Sequence, residues 1–102
     1  MIGVFVTFKY GSEFDAVKLR KIADGARPRF EGMPQLRSKV FTVNSEAREA
    51  VNVYVWQSED AARAFFNEEL LQRVTGLYGV RPSIAFVEIA ALVDNGPAAN
   101  RS

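Results

Sequence analysis

The sequence of 102 residues contains no cysteine and no histidine. Without cysteine the chain can form no disulfide, no thiolate metal site and no cysteine nucleophile. Without histidine it has no imidazole base, no imidazole metal ligand and no proximal ligand for haem. A metal ion would need carboxylate ligands, and Asp and Glu form no tight cluster along the sequence. We therefore expect no metal site.

An excess of charge of one sign and a long apolar run are also absent. The net charge is +1, from 13 Lys and Arg against 12 Asp and Glu, which is too balanced to indicate a nucleic-acid or membrane partner. Residues 1–6 are apolar, but the run is too short for a membrane span and lacks the basic flank of a signal peptide. The length and the hydrophobic content of 48% suit one globular domain. We expect a cytoplasmic protein.

Residues 50–62 combine a strand, a helix cap and the start of a helix. Side chains of a strand alternate between two faces, so the strand over residues 50–57 has one aliphatic face and one polar and aromatic face. Ser58 is a good N-cap, and the acidic residues Glu59 and Asp60 suit the first turn of a helix. The aliphatic face holds Val51, Val53 and Val55, and the other face holds Asn52, Tyr54 and Trp56.

The rest of the chain is divided into elements by its turn residues and apolar periodicity. Ser12 and Asp15 predict the start of a helix over residues 13–27, and Pro28 predicts its end. A second helical region is expected to break near Asn67, and Pro82 indicates a late start or an edge position for the last strand. The other strands are predicted over residues 2–9, 36–44 and 80–93.

The order strand, helix, strand, strand, helix, strand predicts a ferredoxin-like α+β fold. Its four-stranded antiparallel sheet would carry the helices on one face, within a domain of residues 1–93 followed by a flexible tail of residues 94–102. Both faces of the strands carry large apolar side chains, and an uncovered apolar face favours aggregation. We therefore expect a homodimer in which two sheets pack face to face.

The run from Asn52 to Ala61, with its strand, tryptophan, Ser-Glu pair and Ala-rich helix, resembles the dimeric α+β barrel superfamily. More narrowly, it is similar to the antibiotic biosynthesis monooxygenase family. In the members that act on polycyclic phenols, an Asn and a Trp at this spacing face a pocket between sheet and helices. The resemblance implies that Asn52 and Trp56 are catalytic, together with Arg73 from the second helical piece. Ala62 stands where those members place a tyrosine.

The implied activity is a cofactor-independent oxidation of a small phenolic or quinol-type aromatic compound. The phenol would lose a proton, and its electron-rich anion would react directly with dioxygen. The Asn52 amide and the Trp56 indole N–H would be oriented donors for the developing oxyanion, with a small aromatic ring spanning the two. Alternatively, Trp56 is a core aromatic residue. The expected substrate-binding residues are Phe5, Tyr54, Phe65 and Phe66.

Two other classes of function stay open. One is a non-catalytic ligand-binding or stress-related protein on the same scaffold, which the loss of the family tyrosine at Ala62 favours. The other is an RNA-binding sheet, in which Phe5, Tyr54 and Trp56 would stack on bases. The low net charge and the lack of the basic-Gly-aromatic motif oppose the RNA-binding hypothesis. The cations near the second strand are expected to be solvated, and the alternative is that they attract an anionic substrate: Arg27, Arg29, Arg37 and Lys39.

Overall fold

The computed structural model describes residues 1–95, so most of the predicted tail of residues 94–102 lies outside the described residues. The elements in chain order are β1 (Ile2–Lys9), α1 (Ala16–Phe30), β2 (Leu36–Asn44), β3 (Glu49–Trp56), α2 (Glu59–Phe65), α3 (Glu68–Tyr78) and β4 (Ser83–Glu88). The strands form one antiparallel sheet in the order β2-β3-β1-β4. The predicted ferredoxin-like α+β fold is confirmed.

The core lies between one face of the sheet and the helices. Alternate residues of β1 and β3 are buried on this face, because antiparallel Cα partners point the same way and the helices cover them. Val4, for example, is opposite Tyr54, and Val6 is opposite Asn52. The buried side chains of the two strands on this helix-covered face are Ile2, Val4, Val6, Phe8, Ala50, Asn52, Tyr54 and Trp56.

The caps around the two shorter helices agree with the sequence. Ser58 begins α2, with its Oγ accepting a hydrogen bond from the Ala61 N–H at 3.2 Å. Asn67 begins α3 by accepting from the Leu70 N–H at 2.9 Å, so the predicted break between two helical pieces is confirmed. Gly79 ends α3 in the left-handed conformation, with φ of 86°, which glycine adopts without strain.

The first helix begins and ends later than its predicted range of residues 13–27. Its N-cap is Asp15, and the helix continues through Pro28 to Phe30. Pro28 has no N–H to donate to the preceding turn, which costs a helix interior about 3 kcal/mol. The helix continues because tertiary packing compensates: the Phe30 ring makes edge contacts with Phe41 and Tyr54, each at a centroid distance of 6.0 Å.

A bulge in β2 changes which of its side chains face the helices. Leu36 is opposite Trp56 and Ser38 is opposite Val55, so Arg37 is the extra residue. Strict alternation along β2 would place Leu36 and Ser38 on the same face of the sheet, but the bulge places them on opposite faces. Beyond the bulge, Lys39, Phe41 and Val43 follow Leu36 onto the helix-covered face.

The last strand is shorter than predicted. It covers Ser83–Glu88 rather than residues 80–93, and it starts just after Pro82, so the predicted late start is confirmed. Beyond the strand, the Asp94 carboxylate lies 3.2 Å from the Arg37 guanidinium. Both side chains of this ion pair are exposed, and such pairs contribute at most about 1 kcal/mol.

The sheet face opposite the helices is open in the single chain. Val40, Val53, Phe5 and Ala85 are Cα partners in one row across its four strands, and Phe5 is 42% exposed. The homodimer that this apolar row favours stays a prediction. No helix within residues 1–95 is long and apolar enough to cross a membrane.

Candidate functional site

Two adjoining spaces lie between the sheet and the helices. The first, which we call the inner cavity, has a volume of about 230 Å³ and is lined by side chains from all four strands and all three helices. The second, which we call the α1–β2 groove, is more open and has a volume of about 470 Å³. Four residues line both spaces and therefore mark their junction: Lys39, Phe41, Asn52 and Tyr78.

The junction is built on a square of neighbouring strand residues. Lys39 is the Cα partner of Tyr54, and Phe41 is the Cα partner of Asn52. Directly opposite side chains in an antiparallel pair lie about 5 Å apart, and diagonal ones about 7–8 Å apart. The register of β2 against β3 therefore brings an amine, an amide and a phenol together on the helix-covered face.

Asn52 and Tyr78 are joined by a buried hydrogen bond. The Asn52 Nδ2 donates to the Tyr78 Oη at 3.1 Å, although the two residues are 26 positions apart. Asn52 is 4% exposed, and it is the buried polar residue of the core in the described part of the chain. Because the Tyr78 oxygen accepts this bond, its own proton is left to donate to a ligand.

The Tyr78 phenol is fixed in place and neutral near pH 7. Its ring stacks on Phe8 with a centroid distance of 3.7 Å and an interplanar angle of 8°. Burial raises the pKa of Tyr78, and the hydrogen bond from Asn52 lowers it by a smaller amount. Burial also raises the pKa of Tyr54, with a smaller contribution from Tyr78. Both phenols are therefore donors at neutral pH.

Lys39 lies in a cage of aromatic rings at the same junction. Its Nζ is 3.4 Å from the ring centroid of Phe30, 4.1 Å from that of Phe41 and 4.4 Å from that of Tyr54. Burial lowers the pKa of Lys39 to about 7. None of the ion pairs within the described part of the chain includes Lys39. The expectation that Lys39 is solvated is therefore wrong.

Trp56 lies behind the cavity wall. It is 2% exposed and packs against Tyr54, Phe65 and Phe66 at centroid distances of 6.2, 5.0 and 6.2 Å. Within residues 1–95, its Nε1 is the buried side-chain donor that has no hydrogen-bond partner. Asn52 and Trp56 are four positions apart on one strand, about 13 Å by strand rise. The expectation that one small ring spans the two is therefore wrong.

The remaining predicted site residues divide between the two faces of the sheet. Tyr54, Phe65, Phe66 and Arg73 line the inner cavity, with Arg73 on the exposed side of α3. Phe5 is opposite Val53 on the open face, so it cannot contact a ligand in this cavity. The prediction that Phe5 and Tyr54 bind the same substrate is wrong for Phe5. Val4 and Val6, the neighbours of Phe5 in β1, lie on the same face of the sheet as Tyr54, and Phe5 lies on the opposite face.

Comparison with known proteins gives a fold. No protein-family profile matches the chain, and no curated protein matches it. Among solved structures, a monooxygenase from the ActVA-Orf6 gene of Streptomyces coelicolor, in complex with the ligand nanaomycin D, is 20% identical with a TM-score of 0.65, over 92% of each chain. The chain shares its fold with this structure and with structures described as putative antibiotic biosynthesis monooxygenases.

Other solved structures with this fold differ in what is known of them. SnoaB of Streptomyces nogalater, a cofactor-independent oxygenase studied as a mutant, is 15% identical with a TM-score of 0.61, over 90% of this chain and 96% of its own. NE2512 of Nitrosomonas europaea, a protein of unknown function, is 13% identical with a TM-score of 0.71, over 93% and 94%. At these identities the likeness establishes the fold, and the activity has to be argued from the site.

The fold also bears on the RNA-binding hypothesis, which requires Phe5, Tyr54 and Trp56 to lie on one exposed face of the sheet. Tyr54 and Trp56 are buried beneath the helices, whereas Phe5 lies on the open face. The three rings therefore cannot form one exposed stacking platform. For a metal, the described residues offer no group of three or more acidic side chains placed to hold an ion.

Sequence reasoning did not single out Tyr78, and it named Lys39 only among the cations near the second strand. Ala62, where the resemblance implies a tyrosine, is fully buried, and the phenol at the junction belongs to Tyr78 at the end of α3. Lys39 is two residues from Phe41 along β2, so the two side chains share a face, and a lysine in phase with a half-buried ring is a usable signal. No local pattern singles out Tyr78.

Proposed function

We propose that the chain is a cofactor-independent monooxygenase that oxidises a small phenolic or quinol-type aromatic compound in the inner cavity. The observation that carries the proposal is the buried hydrogen bond between Asn52 and Tyr78 at the cavity wall. It orients a phenolic donor toward a space lined mainly by aromatic and aliphatic side chains. The fold, shared with a monooxygenase that binds nanaomycin D and with a cofactor-independent oxygenase, supports the same reaction class.

The reaction needs only the substrate and dioxygen. The phenol loses its O–H proton, and the carbanion character of the phenolate at the para carbon reduces dioxygen. One oxygen atom becomes the second quinone oxygen, and the other leaves as water with the two hydrogens lost from the ring carbon and the hydroxyl. Four electrons pass from the substrate to dioxygen, so the step balances without flavin or metal.

The protein contributes donors for the negative charge that develops on the substrate. The Tyr78 hydroxyl, held by Asn52, would donate to the phenolate oxygen. One oriented donor of this type contributes about 3 kcal/mol to stabilisation of a transition state. Arg73, on the exposed side of the cavity, would add a positive charge near its entrance. A catalytic role for Trp56 stays a separate prediction, since its N–H is behind the wall.

The cavity also limits the size of the substrate. A volume of about 230 Å³ is below the usual range for drug-sized ligands and suits a compound of one or two fused rings. A larger ligand would have to extend into the α1–β2 groove past Lys39 and Phe41. The homodimer belongs to the same proposal, with a second sheet covering the open apolar face.

The test is oxygen consumption with a panel of phenols and naphthols that have a free para carbon, together with quinone absorbance. Tyr78→Phe removes only the donor hydroxyl, and kcat should fall about 10²-fold. Tyr10→Phe is the matched control. It removes a hydroxyl that donates at 2.8 Å to the main-chain carbonyl of Tyr78, away from both spaces, and activity should stay within about threefold. Equal rates in Tyr78→Phe and wild type would refute the assignment.

A second candidate is a non-catalytic small-ligand-binding protein. Ala62 in place of the family tyrosine and the position of Trp56 behind the wall favour it. The same panel should be titrated against the protein by calorimetry without dioxygen. Binding that Tyr78→Phe weakens, with no oxygen consumption for any compound, would assign the cavity to a binder.

A further inference from the structure

Lys39 has surroundings unlike those of the other cations within residues 1–95. Its ammonium-bearing atom lies within 4.4 Å of three ring centroids and at the junction of the two spaces between sheet and helices. Three different elements hold it: Phe30 ends α1, Phe41 lies two residues along β2, and Tyr54 is its cross-strand partner. The amine is therefore positioned rather than free to move through solvent.

The position of Lys39 relative to the donor pair is set by the strand register. Tyr54 is directly opposite Lys39, and Asn52 is diagonal to it across β2 and β3. A ring that accepts a hydrogen bond from Tyr78 at its hydroxyl group would lie beside the same square of residues. The Lys39 amine and the Tyr78 hydroxyl thus come to the same junction from different elements.

The charges around Lys39 leave it without a carboxylate partner in the described residues. The other titratable and charged side chains that line the two spaces are Arg20, Asp24, Arg27 and Arg29 on α1, Arg73 and Tyr78 on α3, and Tyr54 on β3. Asp24 is the single acid among them. It lines the α1–β2 groove and forms no ion pair with Lys39. A negative charge on a ligand would therefore be the natural partner of this amine.

We propose that Lys39 is the acid–base group of the cavity, taking the phenolic proton of a bound aromatic substrate and then pairing with the phenolate. The inference rests on the proposed function for the identity of the substrate. In the step, the substrate O–H bond breaks, an N–H bond forms on Nζ, and the electron pair of the O–H bond stays on oxygen. The ammonium is then 3.4 Å from the ring centroid of Phe30 and 4.1 Å from that of Phe41, and the attraction of these rings stabilises the charged pair.

The protonation state of Lys39 suits this role. Burial lowers the pKa of Lys39 to about 7, so a neutral amine is present at physiological pH. A general base is most effective when its pKa lies near the working pH, and such a base contributes about 10²–10⁴-fold to a rate. An exposed lysine, which is protonated at that pH, could attract a phenolate but could not take the proton.

The first experiment measures ionisation of a bound phenol without turnover. Wild type and Lys39→Met are titrated anaerobically with 4-nitrophenol, and the phenolate absorbance of the bound probe is followed from about pH 5 to pH 9. In wild type the bound probe should ionise at lower pH than the free probe. In Lys39→Met the bound probe should ionise at higher pH than in wild type. Identical ionisation curves for the two proteins would overturn the proposal.

The second experiment separates proton transfer from simple charge attraction. Lys39→Arg keeps a positive charge but cannot act as a base near pH 7. With a neutral phenol, kcat/KM should fall at least about 10²-fold in both Lys39→Met and Lys39→Arg, and the rise in wild-type rate near pH 7 should disappear. With substrates that are already ionised, Lys39→Arg should recover to within about fivefold of wild type. Failure of this recovery, or a wild-type pH profile in Lys39→Arg, would refute the base assignment.

The two proposals can fail separately. If wild type consumes no oxygen with any phenol but ionises bound 4-nitrophenol through Lys39, the monooxygenase assignment fails and the acid–base role stands. If oxygen is consumed and neither Lys39 variant changes the pH profile, the monooxygenase assignment stands and the acid–base role of Lys39 fails. NMR titration of the Lys39 Cε and Nζ signals tests the amine directly, even if a variant is poorly folded. Lys18→Met, at an exposed position of α1, is the matched control and should match wild type in both experiments.

Discussion

Replacing Lys39 by methionine should stabilise the fold at low pH, and the gain should shrink as pH rises. Burial lowers the pKa of Lys39 from 10.5 to about 7. Between these values the unfolded chain holds a proton that the folded chain has released. Because stability rises with pH where the unfolded state binds more protons, the cost of burying the ammonium is full below pH 7 and is lost by about pH 10.5. Methionine carries no charge and removes this cost at every pH.

The size of the effect follows from the shift in pKa. A shift of about 3.5 units corresponds to an upper limit of about 5 kcal/mol, at 1.36 kcal/mol per unit. Lys39 is only partly buried, so solvent screening reduces this limit. We expect the stability advantage of Lys39→Met to shrink by about 2 kcal/mol between pH 6 and pH 9.5.

Urea unfolding followed by Trp56 fluorescence measures this difference at several pH values. Subtracting wild type from variant removes the contributions of other groups, including the tyrosines. Lys18→Met should show a difference that does not change with pH. A difference for Lys39→Met that is constant from pH 6 to pH 9.5, or that grows with pH, would refute the burial of this amine in its aromatic cage.

Three further predictions concern the core, the open face and the end of α3. Trp56→Phe should lower the free energy of unfolding by less than about 2 kcal/mol, measured by circular dichroism, because loss of the orphaned N–H offsets part of the lost packing. A cost above about 4 kcal/mol would show that the indole N–H has a partner. Phe5→Glu should convert the expected dimer to monomer in sedimentation velocity, whereas Val17→Glu, at another exposed apolar position, should not. A wild-type monomer at micromolar concentration would contradict the dimer. Gly79→Ala should destabilise by about 1 kcal/mol because φ is positive there, and Gly76→Ala, inside the helix with open space around it, should stabilise by about 0.5–1 kcal/mol. A higher urea midpoint of unfolding for Gly79→Ala than for Gly76→Ala would contradict the described end of α3.

Local patterns were sufficient to predict most of the fold. The alternation in residues 50–57, the cap Ser58, the break near Asn67 and the order of elements depend on neighbours in the chain, so they can be predicted from sequence. Alternation separated the two faces of β3, and the family resemblance implied which of them the helices cover. The later end of α1 could not be predicted, because Pro28 favours an end there and only the packing of Phe30 overrides it.

The residues of the candidate site also differ in whether the sequence alone could predict them. Asn52 was accessible to sequence reasoning because it is a polar residue in phase with buried rings on a strand. Its partner Tyr78 depends on where the end of α3 meets β3, which is a contact across 26 positions. The exclusion of Phe5 from the cavity depends on the pairing of β1 with β3.

By itself, the sequence determined the element order, the absence of thiol and imidazole chemistry, and one strand face on which a polar group could be used. Those properties follow from composition and from interactions over a few residues. The tertiary structure alone decided which groups meet at the junction. The bulge at Arg37 sets which side chains of β2 face the helices, and it directs the Lys39 side chain into a cage of rings from three elements. Burial in this cage lowers the pKa of the Lys39 amine. An ordinary lysine acquires its candidate role only through these long-range contacts.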